Sequence, residues 1–179
     1  MPNYFALWQA GVEETMHDTV MTYFGGEKNA GLLVASLGVI GLAAAALFFP
    51  GRWGLRSFAI TLAVFALIEI AIGVGLYLRT RPQVSGLLTQ LGSDAARFVT
   101  EEGARMARVQ RNFVVVQYIE VTVIGIAAIT ALLLKNRPMI AGIALGVLVN
   151  AALLLAFDIV AERRGRAYVA AIETQRQAR

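Results

Sequence analysis

The chain has no cysteine and only one histidine, His17, among its 179 residues. Without cysteine there is no disulfide, no thiolate metal site and no cysteine nucleophile. With a single histidine, neither a histidine-rich metal site nor haem held by two histidines can form within one chain. We therefore expect no metal and no cofactor. The sequence also contains no visible set of nucleophile, base and orienting residue that would indicate an enzyme.

Basic residues are absent from the first 27 positions, which instead contain four acidic residues, Glu13, Glu14, Asp18 and Glu27. A secretory signal peptide begins with basic residues and continues into an apolar core. Because this pattern is missing, we expect the first apolar segment to insert into the membrane as an uncleaved helix.

Hydrophobic residues make up 58% of the chain, whereas a typical soluble domain has about 45–50%. The excess falls into four continuous runs at 31–49, 57–78, 113–134 and 139–159. A helix needs roughly 20 residues to cross the hydrocarbon core, and each run has about that length. The sequence therefore predicts an all-α integral membrane protein with four transmembrane helices, arranged as two hairpins, and with cytoplasmic amphipathic helices.

Short turns at 50–54 and 135–138 contain Pro, Gly and Asn, and each joins two apolar runs into a hairpin. The predicted organisation has five parts. These are a cytoplasmic amphipathic helix at 1–26, a first transmembrane hairpin at 27–79, a cytoplasmic helical loop at 80–112, a second transmembrane hairpin at 113–160 and a basic cytoplasmic tail at 161–179.

The basic residues predict the orientation of the four spans. Both termini and the 79–112 segment lie on one side, which carries twelve Lys and Arg residues, and the other side carries four. The positive-inside rule places the richer side in the cytoplasm, which predicts a bacterial inner (plasma) membrane protein. The net charge of +4 is thereby explained by topology, and nucleic acid is not an expected partner.

The N-terminal segment has apolar residues at spacings of three and four, which predict an amphipathic helix. Its apolar face comprises Phe5, Trp8, Val12, Met16, Val20 and Tyr23. We expect Gly25 and Gly26 to end this helix before the first span. In the long loop, Pro82 predicts the start of a short helix that ends at Gly92.

Ser93 or Asp94 predicts the N-cap of a further helix, which continues without a breaker into the third span. Its periodic positions include Ala95, Phe98, Glu102 and Met106. The fourth span likewise continues past Asp158 into the tail. We expect the acidic N-terminal helix to pack against the basic 94–111 helix, with contact to a partner protein as the alternative.

Two acidic residues, Glu69 and Glu120, lie inside apolar runs that contain no Lys, Arg or His. A carboxylate in hydrocarbon is costly, so an intramembrane acid is a functional-site hypothesis. Each lies roughly 13–15 Å along its helix from the nearest flanking arginine. Both are therefore expected at a similar depth, on helices that follow one another in sequence and should be antiparallel neighbours.

Other polar residues in the spans extend this hypothesis. Gln117 lies one turn from Glu120, and Asn150 and Asp158 lie on a row with Gly142 and Gly146. Small residues let membrane helices pack closely, so we expect the glycine row to pack within one protomer. Asp158 is expected near the cytoplasmic mouth. The predicted intramembrane polar core or ion path comprises Glu69, Gln117, Glu120, Asn150 and Asp158.

Three states of the acids remain open: both protonated and hydrogen-bonded between helices, sharing a proton, or holding a cation or facing a water-filled path. The leading functional hypothesis is a non-enzymatic subunit, regulator or interaction module with a polar intramembrane core. The alternative is a proton or cation channel or carrier that uses Glu69 and Glu120. The lipid bilayer is an expected partner, and a homo-oligomer and a cytoplasmic protein partner stay open.

Overall fold

The computed structural model of the chain describes residues 4–177, with side chains described for Trp8 and for residues 10–177. Phe5, the first residue of the predicted N-terminal apolar face, thus has its side chain outside the described residues. The described chain forms four long helices of 45, 41, 39 and 40 residues. They are α1 (Tyr4–Phe48), α2 (Trp53–Ser93), α3 (Ala95–Leu133) and α4 (Pro138–Gln177). Each is long and apolar enough to cross a membrane, which confirms four candidate spans.

Two predicted helix ends are wrong. α1 continues through Gly25 and Gly26, and α2 continues through Pro82. A glycine costs about 1 kcal/mol inside a helix, and the burial of Phe24, the residue before Gly25, offsets this cost. Pro82 has no backbone N–H to donate to the Leu78 carbonyl, so one hydrogen bond of α2 is missing. Both residues are exposed, and the gap therefore lies on the outer side of the helix.

Other predicted ends are confirmed. The Asp94 side chain accepts a hydrogen bond from the Arg97 backbone N–H at 2.9 Å and caps α3. α3 then runs without interruption into the third apolar run, and α4 continues past Asp158 to Gln177. Each of these helices therefore joins an apolar run to a polar segment without a break.

The helices pair as the two predicted hairpins, α1 with α2 and α3 with α4. α2 also packs on α4, whereas α3 makes few contacts with α1 or α2. The expectation that α2 and α3 are packed neighbours is therefore wrong. Adjacency in sequence did not determine adjacency in space, because α4 takes the place beside α2.

Glycines bring the paired helices together. Gly73 of α2 faces the Gly31 carbonyl and Ala35 of α1. A Cβ on Gly146 of α4 would come within 2.8 Å of the Thr61 side chain of α2, and a Cβ on Gly142 would come even closer to Gly54 and Ser57 of α2. Gly142 and Gly146 therefore pack within the protomer, as predicted, since no larger residue fits at such close backbone contacts.

A hydrophobic core lies at the end of the bundle that holds the chain termini. We call it the terminal core. It consists of Val12, Met16, Val20, Phe24, Leu91, Ala95, Phe98, Val99, Met106, Tyr168 and Ile172. All four helices contribute to it. The predicted packing of the N-terminal segment against the 94–111 segment is thereby confirmed.

Candidate functional site

Glu69 lies on the face of α2 that packs against α1. Its side chain is buried, with only 6% exposed. Ala66 and Gly73, one turn away on either side, both contact small residues of α1, and a Cβ on Gly38 would lie 2.6 Å from the Ala66 carbonyl oxygen. The predicted inward placement of Glu69 agrees with this geometry, and its neighbours are the α1–α2 pair rather than α3.

Asn150 lies on α4 and is 1% exposed. Its Nδ2 donates a hydrogen bond to the Gly146 carbonyl one turn earlier in the same helix, at 2.7 Å. Gly146 itself packs against Thr61 and Phe58 of α2. The Asn150 side chain is thus hydrogen-bonded within its own helix, beside the α2–α4 contact, rather than to Glu69 or Glu120.

The other predicted polar residues meet between α3 and α4. Gln117 of α3 donates from Nε2 to Oε2 of Glu162 on α4, at 3.2 Å. Asp158, one turn before Glu162, lies within electrostatic reach of Glu120 on α3. We call Gln117, Glu120, Asp158 and Glu162 the acidic seam. It crosses the α3–α4 interface at the end of the apolar runs that is nearer to the terminal core.

The acidic seam holds one polar atom that is buried without a hydrogen bond. Oε2 of Glu120 has no partner among the described residues. Glu162 accepts hydrogen bonds from Gln117 and, at 3.4 Å, from Arg166. Carboxylates placed in this way can exchange protons or attract cations. No group of three or more His, Asp and Glu side chains in the described part of the chain could hold a metal ion.

The five predicted site residues therefore separate into three places. Gln117, Glu120 and Asp158 come together, Glu69 lies between α1 and α2, and Asn150 lies beside α2. Sequence reasoning missed Glu162 because it lies beyond the apolar run, among the arginines of the tail. Its spacing of four from Asp158 was the available signal, since that spacing places both carboxylates on one helix face.

A buried ion pair lies inside the terminal core. Glu102 is 2% exposed and accepts two hydrogen bonds of 2.6 Å from Arg105, one turn later on α3. The hydrogen bonds that Arg105 donates to Glu102 raise the pKa of the Arg105 guanidinium. Glu102 occupies a position of the apolar repeat predicted for this helix. That position was the signal for its burial, but the partner could be identified only from the structure.

Two tyrosines cover this ion pair. The rings of Tyr23 of α1 and Tyr168 of α4 stack with centroids 4.5 Å apart and planes 5° apart. Both lie outside the four apolar runs. Burial, and secondarily the charge of Glu27, raises the pKa of Tyr23 to about 12. Burial, followed by the Glu102 charge, also raises the pKa of Tyr168. The stack and the ion pair together fix the relative position of α1, α3 and α4.

The outer face of α1 at this end is acidic. Glu13, Glu14, His17 and Asp18 are all exposed, and we call them the acidic face. His17 Nδ1 lies 3.3 Å from Asp18 Oδ1. Gly92, in the last turn of α2, lies beside this face, with Glu13 Oε1 at 3.4 Å from the position of its Cβ. The carboxylates otherwise point to solvent.

Comparison of the chain with protein-family models, with curated proteins and with solved structures found no match. No known fold or activity is therefore carried over to this protein.

Proposed function

We propose that this protein is a non-enzymatic subunit or regulator that presents a preformed helical module on the cytoplasmic face of a bacterial inner membrane. The observation that carries the proposal is the location of the tightest packing. Apart from Asn150, the largest fully buried side chains, from Tyr168 to Val20, belong to the terminal core. A module that is ordered before it binds loses less conformational entropy on binding, which favours a role in recognition.

The excess of basic residues supports this orientation. Twelve of the sixteen Lys and Arg residues belong to the segments at the terminal-core end of the bundle or flank them. Such an excess marks the cytoplasmic side of a membrane protein. The terminal core then lies in the cytoplasm, where a soluble partner can reach it.

The acidic face is the surface that we assign to the partner. An acidic helix is repelled by the anionic inner leaflet, whereas basic helices are attracted to it. Glu13, Glu14 and Asp18 therefore point away from the bilayer surface and are free to meet a basic segment of another protein. Complementary charge of this kind speeds association and fixes the register of a complex.

Site-specific photo-crosslinking in living cells tests this proposal. A photoreactive amino acid replaces His17, at the centre of the acidic face, and in a control replaces the exposed Thr89 on α2. We expect an adduct of one discrete mass from position 17 and none from position 89. The adduct should be lost in the variant Glu13→Gln, Glu14→Gln, Asp18→Asn. An adduct that survives this variant, or that forms equally at both positions, contradicts the proposal.

A second candidate is a proton or cation channel or carrier, and the acidic seam is the observation that favours it. The path would run through Glu120, Asp158 and Glu162 rather than through Glu69 and Glu120. The test is proton and cation flux in proteoliposomes, with Glu120→Gln, Asp158→Asn as the variant and Glu69→Gln as the control. Flux that only the double variant loses supports conduction. No flux in any folded sample rejects it.

A further inference from the structure

A groove opens between α2 and α4 at the end of the bundle opposite the terminal core. Its volume is about 730 Å³, within the range of about 300–1,000 Å³ that is common for ligand sites. The Gly142–Gly54 contact brings the two backbones together at its base. The larger side chains beside these glycines form the walls, and they include Trp53, Leu55, Phe58 and Leu145.

The walls of the groove are apolar and its mouth is cationic. Arg52 lines the mouth. Its neighbour Arg56 is already engaged, because its Nε donates to the Phe49 carbonyl at 3.3 Å and its guanidinium lies over the Phe49 and Trp53 rings. Arg52 is exposed, and its side chain does not cap α2. Of the two arginines, Arg52 is thus the one available to a ligand.

The whole of this end carries positive charge with no compensating acid. Its two turns contribute Arg52, Arg56, Lys135 and Arg137, and the sequence has no Asp or Glu between Glu27 and Glu69 or between Glu120 and Asp158. α2 and α4 both begin here, so the positive ends of two helix dipoles point toward the same mouth. These charges favour an anion at the mouth.

We propose that this groove binds one anionic phospholipid, with an acyl chain between Leu55, Phe58 and Leu145 and the phosphate at Arg52. The apolar walls fit a hydrocarbon chain, and the charge at the mouth complements a phosphate. Basic pockets between transmembrane helices on the cytoplasmic side of membranes bind anionic headgroups, and we extend the same charge complementarity to this groove at the opposite end. The site requires the membrane location but is independent of the cytoplasmic role proposed above.

The test compares two lipids that have the same acyl chains and different headgroups. Protein in a neutral mild detergent is mixed with dioleoyl phosphatidylglycerol or with dioleoyl phosphatidylcholine. Native mass spectrometry then counts the lipid molecules that stay bound to each chain, and thermal unfolding gives the midpoint temperature of the transition. We expect one phosphatidylglycerol per chain and a rise in the midpoint by roughly 5 °C near saturation. Equal retention of both lipids overturns the proposal.

Variants locate the site. Arg52→Gln should abolish the selectivity, whereas Arg81→Gln, the same charge change on an exposed arginine at the other end, should leave it intact. Ala141→Trp should fill the groove and block both effects. If that variant does not fold, the comparison of the two arginine variants still tests the proposal. Equal lipid selectivity of Arg52→Gln and Arg81→Gln would contradict the site. Glycerol 3-phosphate without acyl chains should give no shift. A full shift would reveal a simple anion site and reject the lipid.

Discussion

Glu101 and Glu102 are adjacent on α3, yet their ion pairs differ in environment. Glu101 accepts a hydrogen bond from Arg97 at 2.8 Å, and both side chains are more than half exposed. Glu102 is buried and makes two hydrogen bonds to Arg105, whose side chain is 34% exposed. Solvent screens the first pair, so it adds little to stability, whereas loss of the buried partner leaves a guanidinium in the core without its acceptors.

We expect Glu102→Ala to lower the free energy of unfolding by about 1–3 kcal/mol, because it strands the half-buried Arg105. Glu101→Ala is the matched control and should cost less than about 1 kcal/mol. Chemical denaturation in detergent, followed by circular dichroism, measures both. Equal losses in the two variants would show that burial does not distinguish the pairs.

Tyr23 makes the stability of the terminal core sensitive to alkaline pH. Its pKa rises from 10.0 to about 12 because it is buried and lies near Glu27. The folded protein prefers the neutral phenol, so this stabilisation is complete below pH 10.0 and is lost as the pH rises toward about 12. Tyrosinate absorbance should show a late-ionising tyrosine that Tyr23→Phe removes. A titration that Tyr23→Phe leaves unchanged would contradict this assignment.

Residue types in the spans pointed to Glu69, Glu120 and Asn150, because polar side chains in an apolar run are conspicuous. The contacts of Glu69 and Glu120 could not be predicted, since they depend on which helix lies opposite, whereas Asn150 bonds within its own helix. Gln117 donates a hydrogen bond to Glu162, a residue in the tail to which the sequence analysis gave no role. The sequence therefore shows which residues of a span are polar. Which side chains they contact can be known only once the packing order of the helices is known.

At the scale of the element, local breakers proved to be poor guides to helix ends. Gly25, Gly26 and Pro82 lie inside helices, whereas Asp94 does cap one. The difference is physical. The Asp94 side chain offers the backbone a new acceptor, whereas a glycine or proline only weakens a helix. Tertiary contacts such as those of Phe24 outweigh that weakening.

The α1–α2 contact offers a test of helix packing with an internal control. A Cβ on Gly73 would meet the Gly31 carbonyl and would lie 2.6 Å from the Ala35 backbone nitrogen, whereas Gly75 has no neighbour within 4 Å of that position. We expect Gly73→Ala to destabilise the fold by about 1–3 kcal/mol through overpacking. Gly75→Ala should be neutral or stabilising by up to about 1 kcal/mol. Thermal unfolding in detergent compares the stability of the two variants. A Gly73→Ala variant as stable as the native chain would argue against this contact.

At the scale of the whole molecule, the packing order runs from α1 to α2, then α4, then α3. Hydropathy predicted the four apolar runs and both hairpins, because burial in lipid and short turns are local properties. The order of the hairpins was not predictable, since it depends on which glycine faces meet. The assumed neighbourhood of Glu69 and Glu120 failed for this reason.

The absence of cysteine gives a direct test of orientation. Ser93→Cys lies at the C-terminal end of α2, next to the start of α3, and Asn136→Cys lies in the turn between α3 and α4. In intact spheroplasts, a membrane-impermeant maleimide should label Asn136→Cys and leave Ser93→Cys unmodified until the membrane is opened. The native chain should give no background. Labelling of Ser93→Cys in sealed spheroplasts would reverse the topology.

α3 packs mainly against α4, and its 39 residues form a single uninterrupted helix about 58 Å long. In a rigid helix of this length, a small tilt at one end produces a large displacement at the other. A change in bilayer thickness that tilts its apolar half by about 10° displaces the far end by roughly 10 Å if the helix stays rigid. That far end carries Phe98 and Glu102. Because no turn interrupts α3, such a tilt would be transmitted along the helix to the packing around these residues.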